Sequence, residues 1–254
     1  MAEDIGTGGL EVGFVEPEWL EAVAETTFLY PAAGADTQDF VALLAPVIPW
    51  FIFNDLYYSS RTDLDPPVPA GWRRVSRGGW NLEARDHGIE QRWAEAGPYR
   101  HLAPSILEEV FERDGREIRI QRRRGFGAYA LREQPPASIG VFAHRRDSMG
   151  ESGSNLWFLA NRPRKHGPQS RLWDQLKPRL SPRALVISDG SLTRFDFLKV
   201  EPEFSARDLY LDRKAAGPID AEGCTWSCAG YIAGHRATLV WGVASPEPTN
   251  SGQL

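Results

Sequence analysis

The sequence predicts an α/β fold: a doubly wound, mostly parallel sheet closed by a C-terminal antiparallel hairpin. Three observations predict it. Short apolar runs recur at residues 26–30, 50–53, 138–143 and 183–188, with the length and composition of strands buried on both faces. Small-residue turns and helix-spaced segments lie between several of them, as parallel crossovers require. Two last runs, 225–232 and 237–244, are joined by the four residues Ala233-Gly234-His235-Arg236, a link that suits only an antiparallel pair.

Each element follows in order. Residues 17–25 have helix spacing and open on Pro17, which is pre-organised for a first turn. The run 26–30 (TTFLY) reads as a buried strand, and Pro31 to Asp36 as the turn that ends it. Residues 36–44 then place Phe40, Leu43 and Leu44 on one helix face, with Asp36 or Thr37 as the N-cap. The strand 50–53 (WFIF) follows and ends at Asn54-Asp55. Strand, small-residue turn, helix, strand and acid form the pattern of a mononucleotide-binding half. Residues 61–100 carry Trp72, Trp80 and Trp93 among Pro, Gly and Arg and show no clear period. Residues 104–112 (PSILEEVFE) read as a helix, and 116–123 with 126–132 as a hairpin about Gly125. A strand at 138–143, a helix at 171–180 before Pro182, and a strand at 183–188 complete the alternation. One domain over 1–246 is expected, with a Trp- and Arg-rich insertion near 61–135 and a frayed polar tail at 247–254.

Composition narrows the class. The chain has 254 residues, 42% hydrophobic and 25% charged, the balance of an ordinary globular protein. A net charge of −5 argues against a nucleic-acid binder that works by bulk charge. No apolar run approaches the ~18 residues of a membrane span, and residues 1–14 lack a signal peptide's basic and apolar regions. A cytoplasmic protein is therefore expected. Cys224 and Cys228 fall on one predicted strand, too far apart along it to be bridged, and are expected to be free and structural.

Candidate functional residues gather where strands end. Ala33 and Gly34 let a ligand approach the backbone of the first turn, and Asp36 lies at the helix start behind it. An acid there disfavours a phosphate and favours a ligand without one. Asp55, at the next strand's end, is placed to accept two ribose hydroxyls. The loop after 138–143 reads His144-Arg145-Arg146-Asp147-Ser148-Met149-Gly150-Glu151-Ser152-Gly153-Ser154-Asn155. Asp147, Glu151 and His144 are the candidate proton acceptors, with Ser154 and Asn155 on the substrate side. Asp189 and Ser191 follow the strand 183–188 and join them. Arg116, Arg119, Arg122, Arg123 and Arg124 form a basic run, either an anion-binding surface or a solvated edge that resists aggregation. No GxSxG, HExxH or GxxxxGK[ST] pattern occurs, which removes the hydrolase, zinc-protease and P-loop classes.

In the turn at 26–36, the acid Asp55, the loop after 138–143 and the terminal hairpin, the chain resembles the class I S-adenosylmethionine-dependent methyltransferases. The resemblance implies their Rossmann-like fold, S-adenosylmethionine held by Ala33, Gly34, Asp36 and Asp55, and methyl transfer to a small-molecule or nucleic-acid acceptor. The family's turn reads acid-x-Gly-x-Gly, whereas this one holds the single glycine Gly34, and the Asn/Asp-Pro-Pro-aromatic motif is absent. Those departures suit a second expectation, a catalytically inactive nucleotide- or protein-binding module. A third is an adenine-nucleotide enzyme with a metal at Asp147 and Glu151.

Overall fold

The structure, a computed structural model, describes residues 12–31, 33–55, 58, 68–82, 105–125, 127–145, 172–190, 196–200, 203–233 and 237–245. In chain order the elements are β1 (Gly13–Val15), α1 (Pro17–Ala22), β2 (Thr27–Pro31), α2 (Gln38–Leu44), β3 (Trp50–Asp55), β4 (Arg73–Arg77), β5 (Asn81–Leu82), β6 (Ser105–Arg113) and β7 (Arg116–Arg124). There follow α3 (Gly127–Arg132), β8 (Ile139–His144), α4 (Leu172–Leu176), β9 (Leu180–Ser188), α5 (Ala206–Ala216), β10 (Ile219–Ala221), β11 (Cys224–Ile232) and β12 (Thr238–Ala244).

Among the described residues twelve strands join one sheet in the order β1-β11-β12-β9-β8-β2-β3-β7-β6-β4, with β10 beside β11 and β5 beside β6. The expected doubly wound parallel sheet, and with it the methyltransferase-like arrangement, is corrected by this pairing. Among the described residues seven strand pairings are antiparallel and four are parallel. The parallel ones are confined to the centre, β9-β8-β2-β3-β7. Antiparallel strands extend the sheet on both sides, and among the described residues the helices are short, the longest being the eleven residues of α5. The sheet dominates, and strand–helix alternation does not organise it.

One misread segment accounts for much of the difference. Residues 105–113 form a strand, not a helix, and pair with β7 through a two-residue turn at Asp114-Gly115. Ser105, Leu107, Glu109 and Phe111 are buried while Ile106, Glu108, Val110 and Glu112 are half-buried, the period of two that a sheet demands. Residues 127–132, expected as the hairpin's second strand, are the helix α3.

Two apolar layers cover the sheet. One is rich in phenylalanine: Phe28, Phe40, Phe51 and Phe53 pack with ring centroids 5.4–6.1 Å apart, and α1 and α2 supply Trp19, Val41 and Leu44. The other is rich in tryptophan: Trp173, Trp226 and Trp241 are at most 1% exposed and pack with Phe197, Leu209 and Tyr210. Cys224 and Cys228 both lie on β11, buried and unbridged. Close approach fixes one strand position: a Cβ on Gly242 would stand 2.2 Å from the Trp19 ring.

No helix is long and apolar enough to cross a membrane among the described residues.

Candidate functional site

The carboxyl ends of the parallel strands define the candidate site. β2 stands between β3 on one side and β8 on the other, with β9 beyond β8, so the chain passes from β2 to β3 in one direction and from β8 to β9 in the other. A crevice outside the strand ends at such a reversal is where parallel sheets take ligands.

The sequence after β2 is laced onto the end of β3. The Ala33 N–H donates to the Asn54 carbonyl at 2.9 Å, and the Gly34 N–H donates to Asp55 Oδ2 at 3.1 Å. Gly34 has φ of +53°, a left-handed conformation that glycine adopts without the Cβ penalty. Tyr58 closes the turn from the far side, its hydroxyl donating to the Gly34 carbonyl at 2.7 Å. β3 is fastened to β7 in turn: Asn54 Nδ2 donates to the Gly125 carbonyl at 2.7 Å, and the Gly125 N–H to the Asp55 carbonyl at 3.3 Å. Asp55 is 5% exposed. Its carboxylate is held at the strand end by a backbone amide.

The acids at this edge have a buried phenol and a guanidinium among them. The Tyr30 hydroxyl donates to the Arg145 carbonyl at 3.1 Å. Burial pushes the Tyr30 phenol well above its usual range; the charges of Asp36 and Asp189 add to the rise, and Arg145 opposes it. Burial likewise raises Tyr58, with Asp55 and Asp36 reinforcing and Arg122 opposing. Both phenols are therefore protonated donors at neutral pH. Arg145 Nη1 lies 3.2 Å from Asp36 Oδ2. The Asp36 charge thus has a cation beside it, which weakens the expectation that it repels phosphate. Thr37 occupies the N-cap position of α2, but its side chain makes no capping bond.

The predicted residues do not all share one face. Ala33, Gly34, Asp36 and Asp55 come together at the ends of β2 and β3, and Asp189 acts on Tyr30 from the end of β9. His144 ends β8 opposite Ser188 and is buried. Val141 and Ala143 of that strand belong to the phenylalanine layer and Phe142 to the tryptophan layer. By strand alternation His144 faces the tryptophan side, whereas Asp55, following Phe51 and Phe53 in register, faces the phenylalanine side. The sheet lies between them. Asp147, Glu151, Ser154, Asn155 and Ser191 lie outside the described residues.

Sequence reasoning missed Tyr30, Tyr58 and Arg145 as members of this edge. Their roles depend on contacts distant in sequence, such as Tyr30 with Arg145, 115 positions apart. The arginine run disperses instead of forming one strip. Arg116 donates to the Ala45 carbonyl and pairs with Glu25, Arg119 pairs with Glu117, Arg123 with Glu133, and Arg122 with Glu109. Among the described residues no group of three or more His, Cys, Asp or Glu is placed to hold a metal.

No model of a known protein family matches the chain, and no curated protein matches it.

Proposed function

We propose that the carboxyl edge of β2 and β3 binds a small molecule bearing vicinal hydroxyls, with S-adenosylmethionine the first ligand to test. Methyl transfer to a small-molecule acceptor is the reaction such a ligand would support. One observation carries the reading: a buried carboxylate, Asp55, held by the Gly34 N–H beside a left-handed turn at the carboxyl ends of β2 and β3, next to the reversal between β2 and β8. A carboxylate so placed is able to accept the two hydroxyls of a ribose, and Gly34 has no side chain to hold a ligand away. The cytoplasmic setting expected from the sequence belongs to the same reading.

The position of His144 favours a second reading. With its ring on the other side of the sheet from Asp55, the edge suits a binding module that recognises a nucleoside without turning it over. Thermal melting in millimolar S-adenosylmethionine and S-adenosylhomocysteine tests the shared part. A ligand a hundredfold above its Kd stabilises by about 2.7 kcal/mol, so a clear upward shift is expected. No shift with either compound would remove S-adenosylmethionine from the reading. Release of S-adenosylhomocysteine from S-adenosylmethionine in the presence of candidate acceptors then separates enzyme from module.

A further inference from the structure

Two pieces far apart in sequence meet on the tryptophan side of the sheet. Among the described residues β1 is an end strand, and it pairs only Gly13–Val15 with β11. α5 lies on β11 and buries Ala206, Leu209 and Tyr210 of its eleven residues, while Leu211 stays 52% exposed. Each piece alone buries little apolar surface, the condition for local opening. A ring cluster and a polar clasp join them. The Phe14 ring meets Tyr210 edge-on at 5.8 Å and Tyr231 at 6.3 Å, and Tyr210 stands 5.7 Å from Tyr231. Glu16, directly after β1, turns its carboxylate to α5: Oε1 accepts from the Tyr210 hydroxyl at 2.8 Å and from Lys214 Nζ. Lys214 Nζ also donates to the Tyr210 hydroxyl at 3.3 Å, since a spacing of four places both on one helix face. The Glu16 side chain is 16% exposed, which shields the clasp more than an open surface pair.

Cys228 lies beneath the clasp. It stands on β11, buried, in the same layer as Leu209, Tyr210 and Tyr231. Burial pushes its thiol up to about 12, and the charges of Glu16, Arg213 and Lys214 act on it as well. A thiol that keeps its proton is inert while covered. We propose that β1 and α5 open together as one strap, held shut by Glu16, Tyr210 and Lys214, and that this opening uncovers Cys228 while the rest of the sheet stays folded. The carboxylate is the shared anchor: it is the one group of the clasp that belongs to the β1 side, and both α5 donors converge on it. The strap covers the opposite face of the sheet from Asp55, so the inference stands without the Asp55 reading.

The test labels Cys228 in the full chain carrying Cys224→Ser, with excess dithiobis-nitrobenzoate at increasing urea below the unfolding transition. The Cys228 thiolate attacks the reagent's disulfide, its proton goes to buffer, a mixed disulfide forms and thionitrobenzoate leaves, read by its absorbance. Labelling should proceed faster than global unfolding, with a free energy of opening that falls less steeply with urea than the global value, because less surface is exposed. Glu16→Gln and Tyr210→Phe should each speed labelling about three- to tenfold, the effect of one lost hydrogen bond, and shift the global unfolding midpoint proportionally less. Labelling with the full urea dependence of global unfolding would overturn the proposal. So would labelling at the rate of a free thiol without urea, or rates unchanged in both variants.

Discussion

Asp55 and Glu109 are both buried carboxylates on the phenylalanine side of the sheet, and they are held in opposite ways. Asp55 takes a hydrogen bond from the backbone of Gly34 at a strand end of the parallel centre. Glu109 sits mid-strand in the antiparallel flank, with guanidinium groups on both its oxygens. The difference teaches what each can do. A carboxylate held by a backbone amide at the end of a parallel strand is suited to accept hydroxyls from a ligand. A carboxylate flanked by three arginines is structural: it ties guanidiniums of β4 and β7 to β6.

That contrast is broken most sharply by removing Glu109. Glu109→Ala leaves buried guanidinium without its counter-ion and should destabilise by about 3–5 kcal/mol, read as a lower midpoint in urea unfolding. A cost below ~1 kcal/mol would place the cluster in the class of exposed ion pairs. Asp55→Asn keeps the shape and removes the charge. Loss of a charge-assisted bond weakens ligand affinity by about 10–100-fold, while the unfolding midpoint should fall far less than for Glu109→Ala. Gly34→Ala tests the turn itself. A Cβ there would meet nothing closer than Asp55 Oδ2 at 4.0 Å, so its cost is the left-handed backbone alone, about 1 kcal/mol, measurable by the same unfolding experiment.

The smallest effect appears with pH. Tyr30 and Tyr58 have phenols raised above the ordinary value of 10.0, and Cys228 is pushed from 9.0 up to about 12 by burial. In the unfolded chain these groups lose their protons near their ordinary values, whereas in the fold they keep them. The unfolded state then binds fewer protons, so stability falls as pH rises. The contribution is complete below pH 9 and lost above it, first through Cys228 and then through the two tyrosines. Unfolding midpoints measured upward from pH 9 should decline, and Tyr58→Phe should decline less steeply in the range above pH 10. Ultraviolet difference spectra should show two tyrosines that ionise only as the protein unfolds.

How much of this was legible in the sequence follows from where each residue's role is set. The central strands declared themselves because a strand buried on both faces needs a short apolar run and little else: β2, β3, β8 and the core of β9 all fall on such runs. β6 was hidden by Glu109, since a charge on the buried face masks the alternation that the burial pattern shows. β4 (RRVSR) is largely exposed and carries no apolar pattern; pairing with β6 makes it a strand. The helix α5 was readable, with Ser205 capping through the Asp208 N–H at 3.1 Å and Gly217 at φ of +83° ending it. It was overlooked because only Ala206, Leu209 and Tyr210 of its eleven residues are buried. The same division holds at the site. Gly34 and Asp55 were marked by position, one after a strand and one at a strand's end. Tyr58, Arg122 and Arg145 acquire their roles only when distant strands are brought together.

The central claim is that Asp55 makes the edge of β2 and β3 a ligand site, distinct from the arginine-bound Glu109. Calorimetric titration of S-adenosylmethionine into the parent protein, Asp55→Asn and Glu109→Gln tests it most directly. Saturable heat in the parent and in Glu109→Gln, with affinity lost in Asp55→Asn, is the result the account expects. Binding that survives in Asp55→Asn but fails in Glu109→Gln, or heat in none of the three, would contradict it.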